Sequence, residues 1–428
     1  MIPIANIVAL LGELNLYTQT RDDWYVNAAI VASDATKKNF ILSYEDLAGI
    51  DYEEDNKELQ AVIMRVDQLF KDNEHDSLSE IIKFATDLGA TYEQWATYEN
   101  GKAVVEILNG LADVDILMAC GASTMEYVIY VALTKDIDIR FLYDTVYKGA
   151  DLGADVKIIA SILDEALEFG IIELVYKYPI EKIELSHVQE IVKYVDQLHL
   201  FGLAKAEWTS FLAHFIGSKL QMNITVTPES FANVDWAQEN AAVVELVGKA
   251  AEILAENKFE STTECIKFIT EKAYLSNQYV TEENVELIAQ VLDVLAKLDV
   301  LEQLLPNLVE FGMDKLGTNV EGDFTIVTSK DFETLAYMVR EIQAFGAVEI
   351  YNNILWNEKY FYEGEFDLSH VINVIEALED LAILAIDKPH LAQYVASKVN
   401  LGVQPSMELL EAVDYSAENA KLVEIVKA

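Results

Sequence analysis

Arginine is nearly missing from this 428-residue chain: it occurs only at Arg21, Arg65, Arg140 and Arg340, and the other 26 of the 30 basic residues (30 − 4) are lysine. Against them stand 73 acids, for a formal net charge of −43. An excess of that size repels phosphate backbones and anionic bilayers, so neither nucleic acid nor an anionic membrane surface is an expected partner. Cysteine is limited to Cys120 and Cys265, too far apart in sequence for a disulfide framework or a zinc spacing. One period away their counterparts are Leu304 and Ile81, so both read as small hydrophobes of a helix core. No basic residue precedes Arg21, so no secretory signal is expected at the N-terminus. No apolar run reaches the roughly 20 residues that cross a bilayer, because the longest, 111–133, contains Asp113, Asp115 and Glu126. Direct membrane insertion by this chain is therefore not expected.

Chemistry-bearing motifs are missing too. The chain has no phosphate-binding loop, dinucleotide fingerprint, nucleophile elbow, His-Glu-x-x-His or Cys-x-x-Cys. Its six histidines, at 75, 187, 199, 214, 370 and 390, form no metal-ligand spacing. Carboxylates are so numerous that no acid and base pair stands out from the background. The sequence nominates no catalytic residue and no cofactor, and an enzyme is the third-ranked reading.

What is present is repetition. Asp51-Tyr52-Glu53-Glu54-Asp55-Asn56 returns as Asp235-Trp236-Ala237-Gln238-Glu239-Asn240 and again as Asp414-Tyr415-Ser416-Ala417-Glu418-Asn419. The intervals are 235 − 51 = 184 and 414 − 235 = 179 residues. Each copy opens an apolar helical pattern. Asp51 with Glu54 and Asp235 with Gln238 have the spacing of a capping box, and the adjoining aromatic is placed to pack back on the preceding turn. Asp51, Glu53, Glu54 and Asp55 also supply enough oxygens to be weak calcium candidates, without EF-hand spacing or glycine.

Other segments obey the same offset. The stripe Ile4, Ile7, Val8, Leu11, Leu14 maps onto Val188, Ile191, Val192, Val195, Leu198 and then onto Val371, Val374, Ile375, Leu378, Leu381. Ser77–Thr86 aligns with Ser261–Thr270, each opening with Ser and Glu at capping-box spacing. Glu99-Asn100 and Glu283-Asn284 open corresponding helices, and Phe169-Gly170 and Phe345-Gly346 close another pair, where glycine allows a left-handed exit. The connectors Ser43-Tyr44-Glu45, Thr227-Pro228-Glu229 and Ser406-Met407-Glu408 read as capped turns with apolar anchors Leu47, Phe231 and Leu410. Ser186 and Ser369 read as caps before His187 and His370, which coincide between blocks but align with Pro3, so a structural role is favoured. Phe324–Thr328 reads as a linker.

Hydrophobic residues at 52% make the chain globular, long enough for two to four ordinary domains. The expected fold is all-α: a tandem helical-hairpin array, a HEAT- or armadillo-like α-solenoid, built from a duplicated block of about 180 residues. Residues 1–50 are the C-terminal part of a preceding block, 51–234 block 1, 235–413 block 2, and 414–428 the start of a further block. Unmatched ends point to a piece of a longer array or to head-to-tail assembly.

The run of Ser/Thr-x-Glu caps, the Val/Ile-Asp-Trp/Tyr-x-x-Glu/Asp-Asn motif and the aliphatic helix after it resemble the acidic α-helical tandem repeats of large surface proteins from AT-rich bacteria. The abundance of Lys, Ile, Asn and Tyr fits that source. The resemblance implies an exported role in the cell envelope without catalytic residues: a spacer or an adhesive or assembly segment whose partner is a protein or another copy. The alternatives are a scaffold that binds a peptide or protein in a concave groove, and a cytoplasmic location.

Overall fold

The computed structural model describes residues 2–36, 40, 42–75, 95–134, 137–143, 149–174, 182–271, 276–318, 320–354, 367–399 and 405–428. Among them every regular element is helical and no strand occurs. The Ser77–Thr86 segment lies outside the described residues. The chain divides into two compact units, residues 1–180 with 187–208, and residues 181–186 with 209–428. The junction falls within the Lys205–Leu220 helix, ahead of the sequence register at 235.

In the first unit, helix Ile2–Glu13 packs on Tyr52–Asp72, which packs on Tyr98–Ala112, which packs on Leu152–Phe169. In the second, Trp236–Glu256 packs on Glu282–Leu295, then Ser329–Ala344, Ser369–Asp380 and Tyr415–Lys427 follow in the same manner. Each helix touches its neighbours in sequence, so its apolar stripe is covered only after both have formed. The cores are correspondingly local: Val62, Val114 and Ile116 with Leu42 and Leu47 in one place, and Met338, Ala377 and Leu381 in another.

Local chemistry sets the boundaries. Asp51, Asp151, Asp235 and Asp414 each sit outside the helix with an extended ψ of 85 to 92° and accept first-turn amides. Gly170 and Gly346 take φ of 89° and 84°, the left-handed exits expected after Phe169 and Phe345. All three connectors are capped turns. Ser43 exchanges bonds with Asp46, Thr227 with Ser230, and Ser406 accepts the Leu409 amide. Their anchors Leu47 and Phe231 are fully buried, and Leu410 is half-buried. Ser261 and Glu264 complete their capping box. Phe324–Ile326 is one 3-10 turn ending on buried Val327.

Two cap assignments differ from the sequence expectation. Ser186 lies inside helix Leu185–Gln197, and Ser369 is the first helical residue after Leu368, with its amide held by Asp367 at 2.9 Å. At 235 the reciprocal arm of the capping box is replaced: Gln238 donates to the Lys297 carbonyl, while the Asp235 amide donates to Asp299 at 3.2 Å. A carboxylate brought in by the fold outcompetes the local side chain.

Candidate functional site

Five helices begin after a residue that cannot cap them. Leu14, Val114, Leu198, Leu298 and Leu381 all hold an extended conformation, with ψ between 96 and 121°, and none offers a side-chain bond. Four of these starts are capped from elsewhere, each by a buried acid in the first turn of an earlier helix. Asp55 accepts the Ile116 amide at 3.3 Å. Glu239 accepts Val300 at 3.3 Å, and Asp331 accepts Ile383 at 3.1 Å. Asp155, 1% exposed, accepts His199 at 2.7 Å and Leu200 at 2.8 Å, with His199 Nδ1 3.1 Å away. The separation is 61 residues in the first two cases, 116 − 55 and 300 − 239. Helix amides need an acceptor, and an anion there also meets the positive end of the dipole.

The opposite ends of the same hairpins are tied as well. Asn73, the last residue of its helix turn, and Asn100 exchange amide hydrogen bonds at 2.8 and 2.9 Å, while Asn100 also donates to the Trp95 carbonyl. Asn257 and Asn284 repeat the arrangement 184 residues later at 2.9 and 2.7 Å, with Tyr279 in the place of Trp95. The other two hairpins use histidine instead: His187 Nδ1 is 2.7 Å from Glu165, and His370 Nδ1 is 2.8 Å from Glu341, which Asn373 also contacts. Each histidine coinciding between blocks is thus engaged by a carboxylate of the neighbouring helix.

The sequence motif residues divide among these tasks. Asp51, Asp235 and Asp414 cap their own helices. Tyr52 does not fold back on its own connector; it stacks on Tyr25 at 5.7 Å, donates to Asp22 and lies under Arg21. Tyr415 does fold back, donating to the Leu410 carbonyl. Trp236 and Asn240 are half-buried. Asn56 lies against Gly12, and Asn419 donates to Glu379 at 3.1 Å. The calcium candidates are dispersed, since Glu53 and Glu54 pair with Lys57, Asp51 is spent on amides and Asp55 points inward. Among the described residues no group of three or more His, Cys, Asp or Glu could hold a metal ion.

The partner residues Asn73 and Asn257 and the targets of the buried acids escaped sequence reasoning. Asn73 and Asn257 did carry a signal, being identical one period apart, but a lone Asn after a helix passes for an ordinary stop. Nothing local marks the amides of 116, 200, 300 and 383.

Burial pushes the Asp55 and Glu239 carboxyls up, opposed by the amides they accept. Such groups bind protons more readily folded than unfolded. Their contribution is therefore full below the unfolded carboxylate range and lost as pH rises through the folded value. Glu341, held down by Asn373 and His370, acts oppositely and loses its contribution only as pH falls through its own depressed value. Thermal melts are expected to show a higher Tm at pH 5.5 than at pH 8. Asp55→Asn should flatten that difference by about 2 °C; an unchanged slope in the variant defeats the assignment to Asp55.

Surface depressions are shallow in chemistry. One of 640 Å³ is edged by Asp46, Asp115, Asp151 and Lys157. Another of 390 Å³ is apolar, lined by Leu378, Leu384, Leu391, Val395 and Tyr415. The two thiols are free, and burial raises both above the ordinary cysteine range, away from the nucleophilic thiolate. Among the described residues, no helix is long and apolar enough to cross a membrane. No protein-family model matches the chain, and no curated protein or solved structure is significantly similar to it.

Proposed function

We propose that this chain is a non-catalytic structural or interaction protein: an acidic tandem array of helical hairpins, built from a duplicated block of about 180 residues, that serves as a spacer or assembly segment of a bacterial surface protein. The observation that carries this reading is the fate of the buried acids. Asp55, Asp155, Glu239 and Asp331 all face helix amides, and the asparagine and histidine pairs all join neighbouring helices. Polar groups buried in this chain hold hairpins in register and leave no convergent set for a substrate. Recurrence of the joints at the 184-residue offset supports an array whose units repeat packing, not chemistry. The acidic exterior keeps such an array from collapsing on itself or binding unspecifically. Antibodies raised against the chain are expected to label intact cells that produce it natively. Labelling that appears only after permeabilisation overturns the surface placement in favour of an intracellular scaffold. One observation favours that second reading: the apolar depression beside Tyr415 is of a size to take the side chains of a bound peptide.

A further inference from the structure

The first and last helices of the ladder expose the very positions that are covered at its internal steps. In three hairpins, the residues four and seven places after the buried acid face the next helix. These are Leu59 and Val62 after Asp55, Val243 and Leu246 after Glu239, and Leu335 and Met338 after Asp331. On the facing helix, the residue four places before the apolar start receives the second of them. That residue is Gly110 before Val114, where Val62 is the nearest neighbour; Val294 before Leu298, with Leu246; and Ala377 before Leu381, with Met338. The same count from Glu418 gives Leu422 and Ile425, which are 48% and 70% exposed. The same count back from Leu14 gives Leu10 and Ile7, 59% and 54% exposed, with Leu14 itself at 55%.

Each end therefore presents half of one joint, and the halves are of opposite kind. Tyr415–Lys427 packs on the helix before it and shows the face that meets a following helix. Ile2–Glu13 packs on the helix after it and shows the face that meets a preceding one. We propose that residues 415–427 of one copy of this chain dock on residues 2–19 of a second copy, Ile425 against Leu10 and Leu422 beside Ile7 and Leu14, so that copies join end to end. A second copy is the occupant because its surface continues the packing rule of the internal steps residue for residue. The contact is heterologous, and it propagates unless rotation closes a ring. Register follows from the acid. Glu418, exposed and bonded to Lys421, comes over the start of helix Asn15–Gln19, whose Leu14 holds the same extended conformation as the four starts capped from elsewhere.

The charge on the two faces shapes the conditions. The Lys297–Glu245 pair of an internal step is replaced here by Glu13 opposite Glu424, two like charges, on copies that each carry −43. Screening should therefore tighten the contact, and association is expected to strengthen between about 0.05 and 0.5 M salt. The inference rests on the array reading but is tested apart from it.

Sedimentation of the 428-residue chain across a concentration series should show a salt-strengthened monomer–oligomer equilibrium. Ile425→Asp and Leu10→Asp, each at an exposed position and checked for unchanged helical circular dichroism, should both be monomeric. Mixed together, they should give a 1:1 dimer that grows no further, because one intact head and one intact tail remain. Glu418→Ala should weaken self-association about tenfold while leaving the fold intact. A wild-type chain that stays monomeric at every concentration and salt overturns the contact, as does an Ile425→Asp or Leu10→Asp variant that still dimerises alone. Neither result touches the surface-labelling experiment, which decides the array's role independently.

Discussion

Asp155→Ala is expected to destabilise the first unit by about 3 kcal/mol, because two amides at the start of helix His199–Gly202 lose a charge-assisted acceptor in a site that water does not reach. The loss exceeds that of an ordinary cap, typically about 1 kcal/mol, since an exposed helix end can turn to solvent. The stranded amides here cannot: Asp155 is 1% exposed, and Trp208 closes over the joint with its indole donating to the Leu200 carbonyl at 3.2 Å. That same tryptophan makes the effect measurable, through urea unfolding followed by its emission. Asp155→Asn, which keeps an acceptor oxygen without the charge, should recover roughly half of the loss. The exposed Asp34→Ala serves as the reference and should stay within about 0.5 kcal/mol of the parent. An Asp155→Ala variant equal to that reference would remove the capping role from the account.

Phe231→Ala should cost more still, about 4 kcal/mol, although it lies in a connector between helices. The ring is completely buried. It is aimed inward by a 3-10 turn that Pro228 pre-sets and that Thr227 and Ser230 close reciprocally. Beside it Asn307, 4% exposed, holds the incoming strand of connector by donating to the Asn223 carbonyl and to Thr225. A connector that only spanned a gap would tolerate alanine within about 1 kcal/mol. Chemical unfolding of the variant, compared with Leu47→Ala at the equivalent connector of the first unit, separates the two views: both should show losses of core size.

How far these arrangements are legible in the sequence depends on how far apart the partners are. Asp51, Asp235 and Asp414 act within three residues of themselves, and their role follows from spacing alone. The exits at Gly170 and Gly346 and the buried anchors Leu47 and Phe231 are equally local, as is the helical character of the whole chain. Asp55 and Glu239 were visible as the acid of the repeated motif, yet their partners lie 61 residues on, and no local pattern says that a first-turn acid will be buried under another helix's start. The apolar starts Val114, Leu198, Leu298 and Leu381 read as core residues, which they are in part, so the bare helix ends behind them went unseen. Tyr52 went astray for a related reason. Its hydroxyl finds Asp22 across 30 residues, and a tertiary partner with a better donor–acceptor match displaces the nearby turn.

One consequence of the joints concerns synthesis. At all four, the carboxylate precedes the amides it receives, by 44 to 61 residues. On a ribosome the acid-bearing helix therefore emerges first and waits, its charge still hydrated, until the later helix start arrives to take it out of water. Closure can proceed hairpin by hairpin in the direction of translation, with no early segment left waiting on the far end of the chain. A growing polypeptide of this kind exposes little unfinished surface at any moment beyond its newest hairpin.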